Sequence, residues 1–224
     1  MSVSDLSIST QNYLKVIWGL SEWSDDPVTA TDIAQKSGLK VSSVSDAVRK
    51  LTAQGLVSHA RYGAVELTEV GRKYALDMVR RHRLLETFLV QTLAYNWDQV
   101  HDEAENLEHA MSDFMVERLD AFLGHPDRDP HGDPIPSADG VLTRPDAVLL
   151  STVEPGVRVT VERINDEDPA LLQYLSAQGV VPGVDLVITE AAPFSDAVLL
   201  QVADGTGTIS LGRQATEALH VSRG

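Results

Sequence analysis

Helical periodicity dominates the first half of the chain. Four apolar side chains at spacings of three and four residues predict a first helix over residues 9–21, with Ser9 or Thr10 as its N-cap. These side chains are Tyr13, Val16, Ile17 and Leu20. The same periodicity predicts two longer helices, over residues 70–93 and 97–123.

Shorter elements are predicted between the first helix and the long ones. A helix over residues 32–37, a turn at Gly38 and a helix over residues 42–54 are typical of a helix-turn-helix. Residues 56–68 then indicate two short strands on either side of residues 61–63, with the turn at Tyr62 and Gly63. This pattern predicts a hairpin, the wing of a winged helix-turn-helix.

The last third of the chain consists of short β-branched runs separated by Gly and Pro turns, with one helix predicted over residues 169–177. A small β-barrel fits this pattern best. Residues 124–140 are dense in Pro, Gly, Asp and His, so they form either a linker or a metal-rich loop. The predicted fold class is α+β, with a domain boundary near residue 140.

The net charge of −15 is unevenly distributed. Residues 1–75 are neutral overall, whereas residues 76–140 carry −9 and residues 141–224 carry −6. Within the first segment, residues 36–73 carry +4, so only this stretch is suited to face DNA phosphates. Cations are expected in the acidic middle of the chain.

The absence of cysteine excludes disulfides, iron–sulfur clusters and thiolate zinc sites. A metal would have to be held by His, Asp, Glu, amide or carbonyl groups, which are mostly hard ligands. The N-terminus lacks the basic and apolar regions of a signal peptide, and no apolar run approaches the roughly 18 residues of a membrane span. We therefore expect a cytoplasmic protein without a membrane partner.

The predicted helix over residues 42–54 has two distinct faces. Four apolar residues are expected to pack inward: Val41, Val44, Val48 and Leu51. Polar residues on or beside the other face, with one from the wing, are the candidate DNA contacts: Lys40, Ser42, Ser43, Ser45, Asp46, Arg49, Lys50 and Arg61. Small hydroxyl groups allow a helix to sit deep in the major groove, while Arg and Lys bind phosphates. Since any amphipathic helix has a polar face, it is the preceding glycine turn and the following wing that favour DNA binding.

Both predicted long helices carry His and Glu at a four-residue spacing, which places these side chains on the same face of their helix. His82 and Glu86 form one pair, and His101, Glu105 and His109 continue the pattern on the next helix. One such pair alone is more typical of a solvated surface. Two helices with complementary sets indicate a metal site.

Three segments resemble the diphtheria-toxin-repressor family of bacterial metal-dependent transcriptional repressors. They are RRHRLLETFL (80–89), VHDEAENLEHAMSD (100–113) and DPHGDPIP (129–136), and the resemblance extends over essentially the whole chain. It implies a winged helix-turn-helix domain, a helical metal-binding and dimerisation domain and a C-terminal SH3-like domain of FeoA type. The corresponding predicted ranges are 1–73, 74–140 and 141–224.

The resemblance also implies two neighbouring metal sites. Four residues would form the primary site: Asn12, Glu105, Glu108 and His109. Three residues would form or share the second site: His82, Glu86 and His101. Two further candidates for the second site stand where some manganese-responsive relatives have ligands: Asp129 and His131. Asp129 is equally well explained as a turn-forming residue.

The family's C-terminal domain contributes one more acidic ligand. In this chain it would fall among Asp166, Glu167 and Asp168, and we select Asp168.

The same resemblance bears on the choice of metal. Glu105 and Asn12 stand where iron-responsive members of the family have Cys and Met, and oxygen in place of sulfur favours Mn²⁺. The resemblance thus implies a homodimeric repressor that is activated by Mn²⁺ or alternatively Fe²⁺, with Co²⁺ or Zn²⁺ able to substitute in vitro. Such a protein binds a palindromic operator in double-stranded DNA and controls metal-homeostasis genes.

Two alternatives belong to other functional classes. A metal-dependent hydrolase is suggested by Glu105 to His109, which is one substitution from the H-x-x-E-H zinc pattern, but no other His pair or nucleophile accompanies it. A winged-helix regulator that senses an organic ligand is the other alternative. Its DNA binding would be insensitive to a chelator.

Overall fold

The computed structural model describes residues 2–59, 63–190, 197–203 and 207–223, which divide into two compact units. The first unit comprises Met1–His82, Leu107–Arg118 and Pro136–Val141. The second unit comprises Arg83–Asn106, Leu119–Ile135 and Leu142–Gly224. Within the described ranges, no helix is both long enough and apolar enough to cross a membrane.

A 3-10 turn (Val3–Asp5) that the sequence pattern does not predict opens the first unit, and the predicted elements follow in the predicted order. They are helices α1 (Ile8–Glu22), α2 (Ala30–Ser37) and α3 (Val41–Ala53) and strands β1 (Val57–His59) and β2 (Val65–Leu67). The predicted N-caps of α1, Ser9 or Thr10, are wrong by two or three residues. Ser7 caps the helix, because its hydroxyl accepts from the backbone amide of Thr10.

Two local features define the helix-turn-helix. Thr29 and Asp32 form a reciprocal capping box that starts α2. Gly38 ends α2 in the left-handed conformation, with φ of 66°, which favours glycine. Along α3, the predicted inward residues Val44, Val48 and Leu51 are buried. Val41 is 46% exposed instead, since it is the first residue of the helix and lies beyond the packed face.

The wing consists of β1 and β2, which pair antiparallel with Val57 opposite Leu67. Of the predicted turn at Tyr62 and Gly63, Tyr62 lies outside the described residues, together with residues 60 and 61. Helix α4 (Glu69–Leu93) follows the wing and approaches it closely. A Cβ atom on Gly71 would lie 1.9 Å from the carbonyl oxygen of Leu56, so this approach requires glycine.

The predicted continuous helix over residues 97–123 is wrong. The chain forms helix α5 (Val100–Leu107), a 3-10 turn (Glu108–Ala110) and helix α6 (Asp113–Phe122). Met111 interrupts the helix in an extended conformation, and its carbonyl oxygen accepts a 2.7 Å hydrogen bond from the guanidinium of the buried Arg81. The interruption places Glu108 and His109 on a turn rather than along one helix face.

The end of the chain forms a six-stranded antiparallel sheet in the order β3-β8-β4-β5-β6-β7. Its strands are β3 (Val148–Leu149), β4 (Arg158–Ile164), β5 (Asp185–Thr189), β6 (Val198–Val202), β7 (Thr208–Leu211) and β8 (Leu219–Arg223). Helices α7 (Pro169–Ala177) and α8 (Arg213–Glu217) accompany it. The bounds of α7 agree with the prediction, whereas the sequence pattern does not predict β3, β8 or α8.

The core of this sheet is aliphatic, and Leu172 and Leu175 of α7 belong to it. Residues 129–135 form a buried loop of the same unit, which excludes the linker interpretation for them. A Cβ atom on Gly132 would lie 2.0 Å from a carbonyl oxygen of β4. The Asp133 carboxylate accepts from the Arg163 guanidinium at 2.6 Å, so this loop is fixed against β4.

Candidate metal centres and DNA-binding surface

Five side chains of the first unit are linked by polar contacts around a buried carboxylate. We call them the Glu108 cluster: Gln11, Lys15, His82, Glu108 and His109. Helix α1 supplies the first two, α4 supplies His82, and the 3-10 turn supplies Glu108 and His109. Because the helix is interrupted at Met111, Glu108 and His109 lie in a 3-10 turn and not in the continuous helix that the sequence predicts.

Glu108 is fully buried and accepts two strong contacts. The ammonium group of Lys15 lies 2.6 Å from its Oε1, and Nδ1 of His82 lies 2.7 Å from its Oε2. Burial alone raises the pKa of a carboxyl group, but the hydrogen bond from His82 and the charge of Lys15 outweigh it and lower the pKa of Glu108. Glu108 is thus ionised and suited to bind a cation.

The orientation of His109 is fixed by Gln11, which is 3% exposed. The Nε2 amide nitrogen of Gln11 donates to the carbonyl oxygens of Val3 (2.9 Å) and Leu6 (3.1 Å), so its Oε1 faces His109 as an acceptor. Nδ1 of His109 lies 2.7 Å from that oxygen and must be the donor. This contact leaves Nε2 of His109, 3.6 Å from Glu108 Oε1, as the ring nitrogen available to a metal.

Asn12 follows Gln11 on α1, and its side-chain oxygen is buried without a hydrogen-bond partner. A buried acceptor in this state is uncommon and costs about 1–3 kcal/mol unless a cation or donor meets it. Glu105, the remaining predicted primary ligand, belongs to the second unit. Its carboxylate lies 3.9 Å from Nε2 of His101, one turn earlier on α5.

A second group of titratable side chains lies within the second unit. We call it the His101 cluster: Glu86, His101, Asp129, His131 and Asp166. Ligand atoms of Glu86, His101 and Asp166 lie within 4.8 Å of one another, as do those of Glu86, Asp129 and His131. Nδ1 of His101 is 2.8 Å from Asp166 Oδ2. Burial lowers the pKa of His101, but Asp166 and Glu86 outweigh it and raise the pKa to about 10.

His131 is almost fully buried, and its ring is stacked on Trp97. Its Nε2 lies 2.7 Å from the Trp97 carbonyl oxygen, so Nε2 carries a proton. Nδ1 is buried, makes no hydrogen bond and lies 3.8 Å from Glu86 Oε2. Burial lowers the pKa of His131, but Glu86, followed by Asp129, raises it to about 10. A metal-ligating histidine typically donates its other ring N–H to a carboxylate or a backbone carbonyl, and Nε2 of His131 makes such a contact with Trp97, which leaves Nδ1 as the nitrogen available to a metal.

One carboxylate oxygen of Asp129 stabilises the loop of residues 129–135. Its Oδ1 accepts from the backbone amides of His131 and Asp133 at 2.8 and 3.0 Å, which is the turn-forming role. Burial and the neighbouring Asp133 raise its pKa well above the ordinary value. Its Oδ2 lies 3.6 Å from the Arg83 guanidinium, so the turn role and a ligand role remain compatible.

The structure places the predicted ligand Asp168 and its neighbour Asp166 differently. Asp168 is the N-cap of α7, and its Oδ1 accepts from the amides of Ala170 and Leu171. The Asp168 carboxylate is therefore bound to two backbone amides at the start of α7. Asp166 is the acidic residue that reaches His101.

The donor chemistry of both clusters fits a divalent ion. It consists of carboxylates, imidazoles and an amide oxygen, a hard set that suits Mn²⁺ and also accepts other first-row ions. Two buried atoms without hydrogen bonds, Asn12 Oδ1 and His131 Nδ1, are available as further ligands. The side chains present could therefore hold metal in either unit.

The polar face of α3 is open to solvent. The predicted contact residues on or beside it are all exposed: Lys40, Ser42, Ser43, Ser45, Asp46, Arg49 and Lys50. Arg49 contacts Asp46 at 2.7 Å, an exposed pair worth about 0–1 kcal/mol that phosphate can displace. Arg61 lies outside the described residues.

Sequence reasoning missed Gln11 and Lys15, and it named Asp166 among three candidates without selecting it. Gln11 and Lys15 lie four residues apart on α1, with Asn12 between them. Helical spacing alone could have placed Lys15 near the implied ligand Asn12, three residues before it, whereas the adjacent Gln11 carried no such signal. The sequence contained a signal against Asp168. Pro169 is a typical first residue of a helix, so Asp168 directly before it is a typical N-cap, which leaves Asp166 as a candidate ligand.

Family models match three consecutive parts of the chain. The N-terminal DNA-binding domain of iron-dependent repressors matches residues 5–65, and their metal-binding and dimerisation domain matches residues 68–137. The FeoA domain matches residues 148–223. These matches confirm the predicted fold class, with an SH3-like sheet at the C-terminal end.

Full-length relatives agree with these models. The iron-dependent repressor IdeR of Mycobacterium leprae is 31% identical over 99% of this chain and all of its own length. The diphtheria toxin repressor of Corynebacterium diphtheriae is 35% identical over 70% of this chain and 67% of its own.

Solved structures show the same similarity. A manganese-dependent transcriptional repressor in complex with manganese is 49% identical, with a TM-score of 0.89 over 96% of this chain and 99% of that one. ScaR with bound Zn²⁺ is 31% identical, with a TM-score of 0.82 over 96% of this chain and 99% of that one. The chain therefore belongs to the iron-dependent repressor family, the diphtheria-toxin-repressor family of dimerising, metal-dependent transcriptional repressors, and is a DNA-binding regulator rather than an enzyme.

Proposed function

We propose that Mn²⁺ is the ion that switches on operator binding by this repressor. The observation that carries the proposal is the donor set, in which every candidate ligand of the Glu108 and His101 clusters offers oxygen or imidazole nitrogen. The similar structure with 49% identity is described as a manganese-dependent repressor in complex with manganese, which supports the same ion.

The ligand roles divide between the clusters. We assign Asn12, Glu108 and His109 to the primary centre and retain Glu105 from the family resemblance. We assign Glu86, His101, His131 and Asp166 to the second centre, with Asp166 in place of Asp168. Asp129 is a further candidate there. His82, which belongs to the first unit, orients Glu108 through the contact at 2.7 Å, and its role as a ligand stays a prediction.

The primary centre joins two sequence regions of different function. Asn12 lies on α1, in the region that matches the DNA-binding domain, whereas Glu108 and His109 lie in the metal-binding region. A divalent ion would supply a positive charge that both regions bind at once. The ligands thereby favour one arrangement of α1 against the 3-10 turn, and ion binding shifts the population toward that arrangement.

Operator binding would then use two copies of α3. Helix α6 exposes the large apolar side chains Phe114, Met115 and Phe122, which is unusual for a surface and typical of a protein interface. We propose α6 as the main homodimer contact. A two-fold dimer with fixed spacing between its recognition helices reads a palindrome of matching half-site spacing. Such a regulator of metal-homeostasis genes acts in the cytoplasm.

The choice of ion is tested by titration under anaerobic conditions. Duplexes are first selected from a random pool with the wild-type protein in the presence of Mn²⁺, Fe²⁺ and Co²⁺ together. Half-maximal binding is then measured for each of these ions and for Zn²⁺, beside a chelator-treated sample. We expect Mn²⁺ to activate at a concentration no higher than Fe²⁺ requires. Activation by Fe²⁺ without activation by Mn²⁺ would contradict the proposal, and full binding in chelator would favour an organic effector.

A further inference from the structure

A cation of the protein itself lies at the centre of the Glu108 cluster. The Lys15 ammonium group is 2.6 Å from Glu108 Oε1 and 3.5 Å from His82 Nδ1. The Lys15 side chain is 13% exposed and the Glu108 side chain is fully buried, so this is an ion pair with little solvent screening. Lys15 thus supplies the counter-charge that a buried carboxylate requires.

The same carboxylate oxygen is central to the proposed metal centre. Oε1 of Glu108 is the atom that lies 3.6 Å from Nε2 of His109, the nitrogen left available by Gln11. A metal bound by Glu108 and His109 would therefore be held next to an ammonium ion. Two cations in contact at a poorly screened site repel strongly, so both cannot keep these positions.

We propose that Lys15 is a built-in competitor of the activating metal: its ammonium group neutralises Glu108 until a divalent ion displaces it, and this competition sets the metal concentration at which the repressor responds. The inference rests on the proposed function, because it requires metal to bind at Glu108. Lysine is suited to the role, since its long, flexible side chain can swing its charge from the cluster into water while its stem stays on α1.

The position of Lys15 on α1 links the exchange to the ligands. Lys15 lies one helical turn after Asn12, on the same side of α1. When Lys15 leaves Glu108, α1 loses its ion pair with the 3-10 turn, and Asn12 can provide a metal-mediated connection in its place. Metal binding thus replaces the ion pair between α1 and the 3-10 turn by a metal-mediated contact between the same two segments.

Two measurements test the inference, and the first is metal affinity. Lys15→Met keeps the length of the side chain and removes its charge, whereas Lys73→Met removes the same charge from an exposed position on α4. Free Mn²⁺ is followed by electron paramagnetic resonance during titration of each protein. We expect Lys15→Met to bind Mn²⁺ about 10- to 100-fold more tightly than wild type, and Lys73→Met to change affinity less than about threefold.

The second measurement uses the wild-type protein and does not depend on the stability of a variant. Lysine side chains are acetylated for short times with and without Mn²⁺, and the modified peptides are quantified by mass spectrometry. We expect the acetylation rate of Lys15 to rise at least fivefold when Mn²⁺ binds, while the rate of Lys73 stays constant.

The outcomes separate this inference from the proposed function. Mn²⁺ binding to wild type with an unchanged Lys15 acetylation rate, or equal affinity of Lys15→Met and wild type, would overturn the competitor role and leave the metal-activated repressor intact. If neither wild type nor Lys15→Met binds Mn²⁺, the proposed function itself fails, and the inference with it.

Discussion

Replacing Gln11 by Met tests how the protein prepares His109 for metal. The Gln11 amide makes three hydrogen bonds, two from its nitrogen to Val3 and Leu6 and one accepted from His109. Methionine fills a similar volume and replaces none of them well. The imidazole would then be free to rotate or to exchange the proton between its two nitrogens.

The magnitude follows from the groups that lose a partner. The Val3 carbonyl still accepts from the amide of Leu6 at 3.0 Å, so the Leu6 carbonyl and the His109 N–H bear the main loss. Each buried polar group without a partner costs about 1–3 kcal/mol, so the two groups give a loss of about 2–6 kcal/mol in the free energy of unfolding. Loss of the residue that orients a ligand typically lowers metal affinity about 10- to 100-fold.

The assay compares Gln11→Met with Gln35→Met, which changes an exposed glutamine on α2. Chemical denaturation in chelator measures the free energy of unfolding, and Mn²⁺ titration measures affinity. We expect Gln11→Met to have a lower free energy of unfolding and a lower affinity for Mn²⁺ than wild type, whereas Gln35→Met should resemble wild type in both quantities. Lower stability with unchanged Mn²⁺ affinity would refute the argument that Gln11 selects the His109 tautomer.

Three further predictions concern other parts of the chain. Arg49→Ala should weaken DNA binding and reduce the slope of log affinity against log salt by about one unit, and an unchanged slope would mean that Arg49 contacts no phosphate. Asp166→Asn should reduce the Mn²⁺ stoichiometry from two to one, whereas Asp168→Asn should leave it at two because asparagine also caps helices well, and the reverse result would restore Asp168 as the ligand. In chelator, the stabilisation from His131, whose pKa is raised from 6.5 to about 10, should be fully present below pH 6.5 and lost as pH rises through about 10. Thermal denaturation across this range should show the decline, and His131→Asn should make it smaller without abolishing it, because the pKa of His101 is also raised to about 10. An undiminished decline in His131→Asn would contradict the contribution of His131.

Local signals account for the elements that the sequence predicts well. The bounds of α7 follow from a proline at its first position and an Asp before it, both of which act within one turn. The end of α2 follows in the same way from Gly38. In each case a few adjacent residues determine the backbone conformation, so the pattern along the chain contains the necessary information.

The interruption at Met111 depends on a residue distant in sequence. The apolar periodicity continues through residues 97–123, and what stabilises the break is Arg81, 30 residues away on α4, whose buried guanidinium needs the Met111 carbonyl. No local pattern encodes this contact. The consequence for the candidate site is direct, because the same break positions Glu108 and His109.

The candidate ligands show the same division between local and distant information. Four-residue spacing on helices found His82, Glu86, His101 and Glu105, since all lie on α4 or α5. It could not decide between Asp166 and Asp168, because that choice depends on how the start of α7 packs near His101. Nor could it show that Lys15 would be the partner of Glu108, 93 residues along the chain.

The central claim is that metal at Glu108 controls DNA binding. Fluorescence anisotropy of a selected, labelled duplex measures it directly, with wild type and Glu108→Gln each titrated in Mn²⁺ and in chelator. We predict that wild type binds in Mn²⁺ and that its affinity for the duplex falls about 5- to 150-fold in chelator, which corresponds to a coupling of about 1–3 kcal/mol. We predict that Glu108→Gln, folded and dimeric, binds weakly in both. Equal binding of the two proteins in Mn²⁺, or full binding of wild type in chelator, would contradict the account.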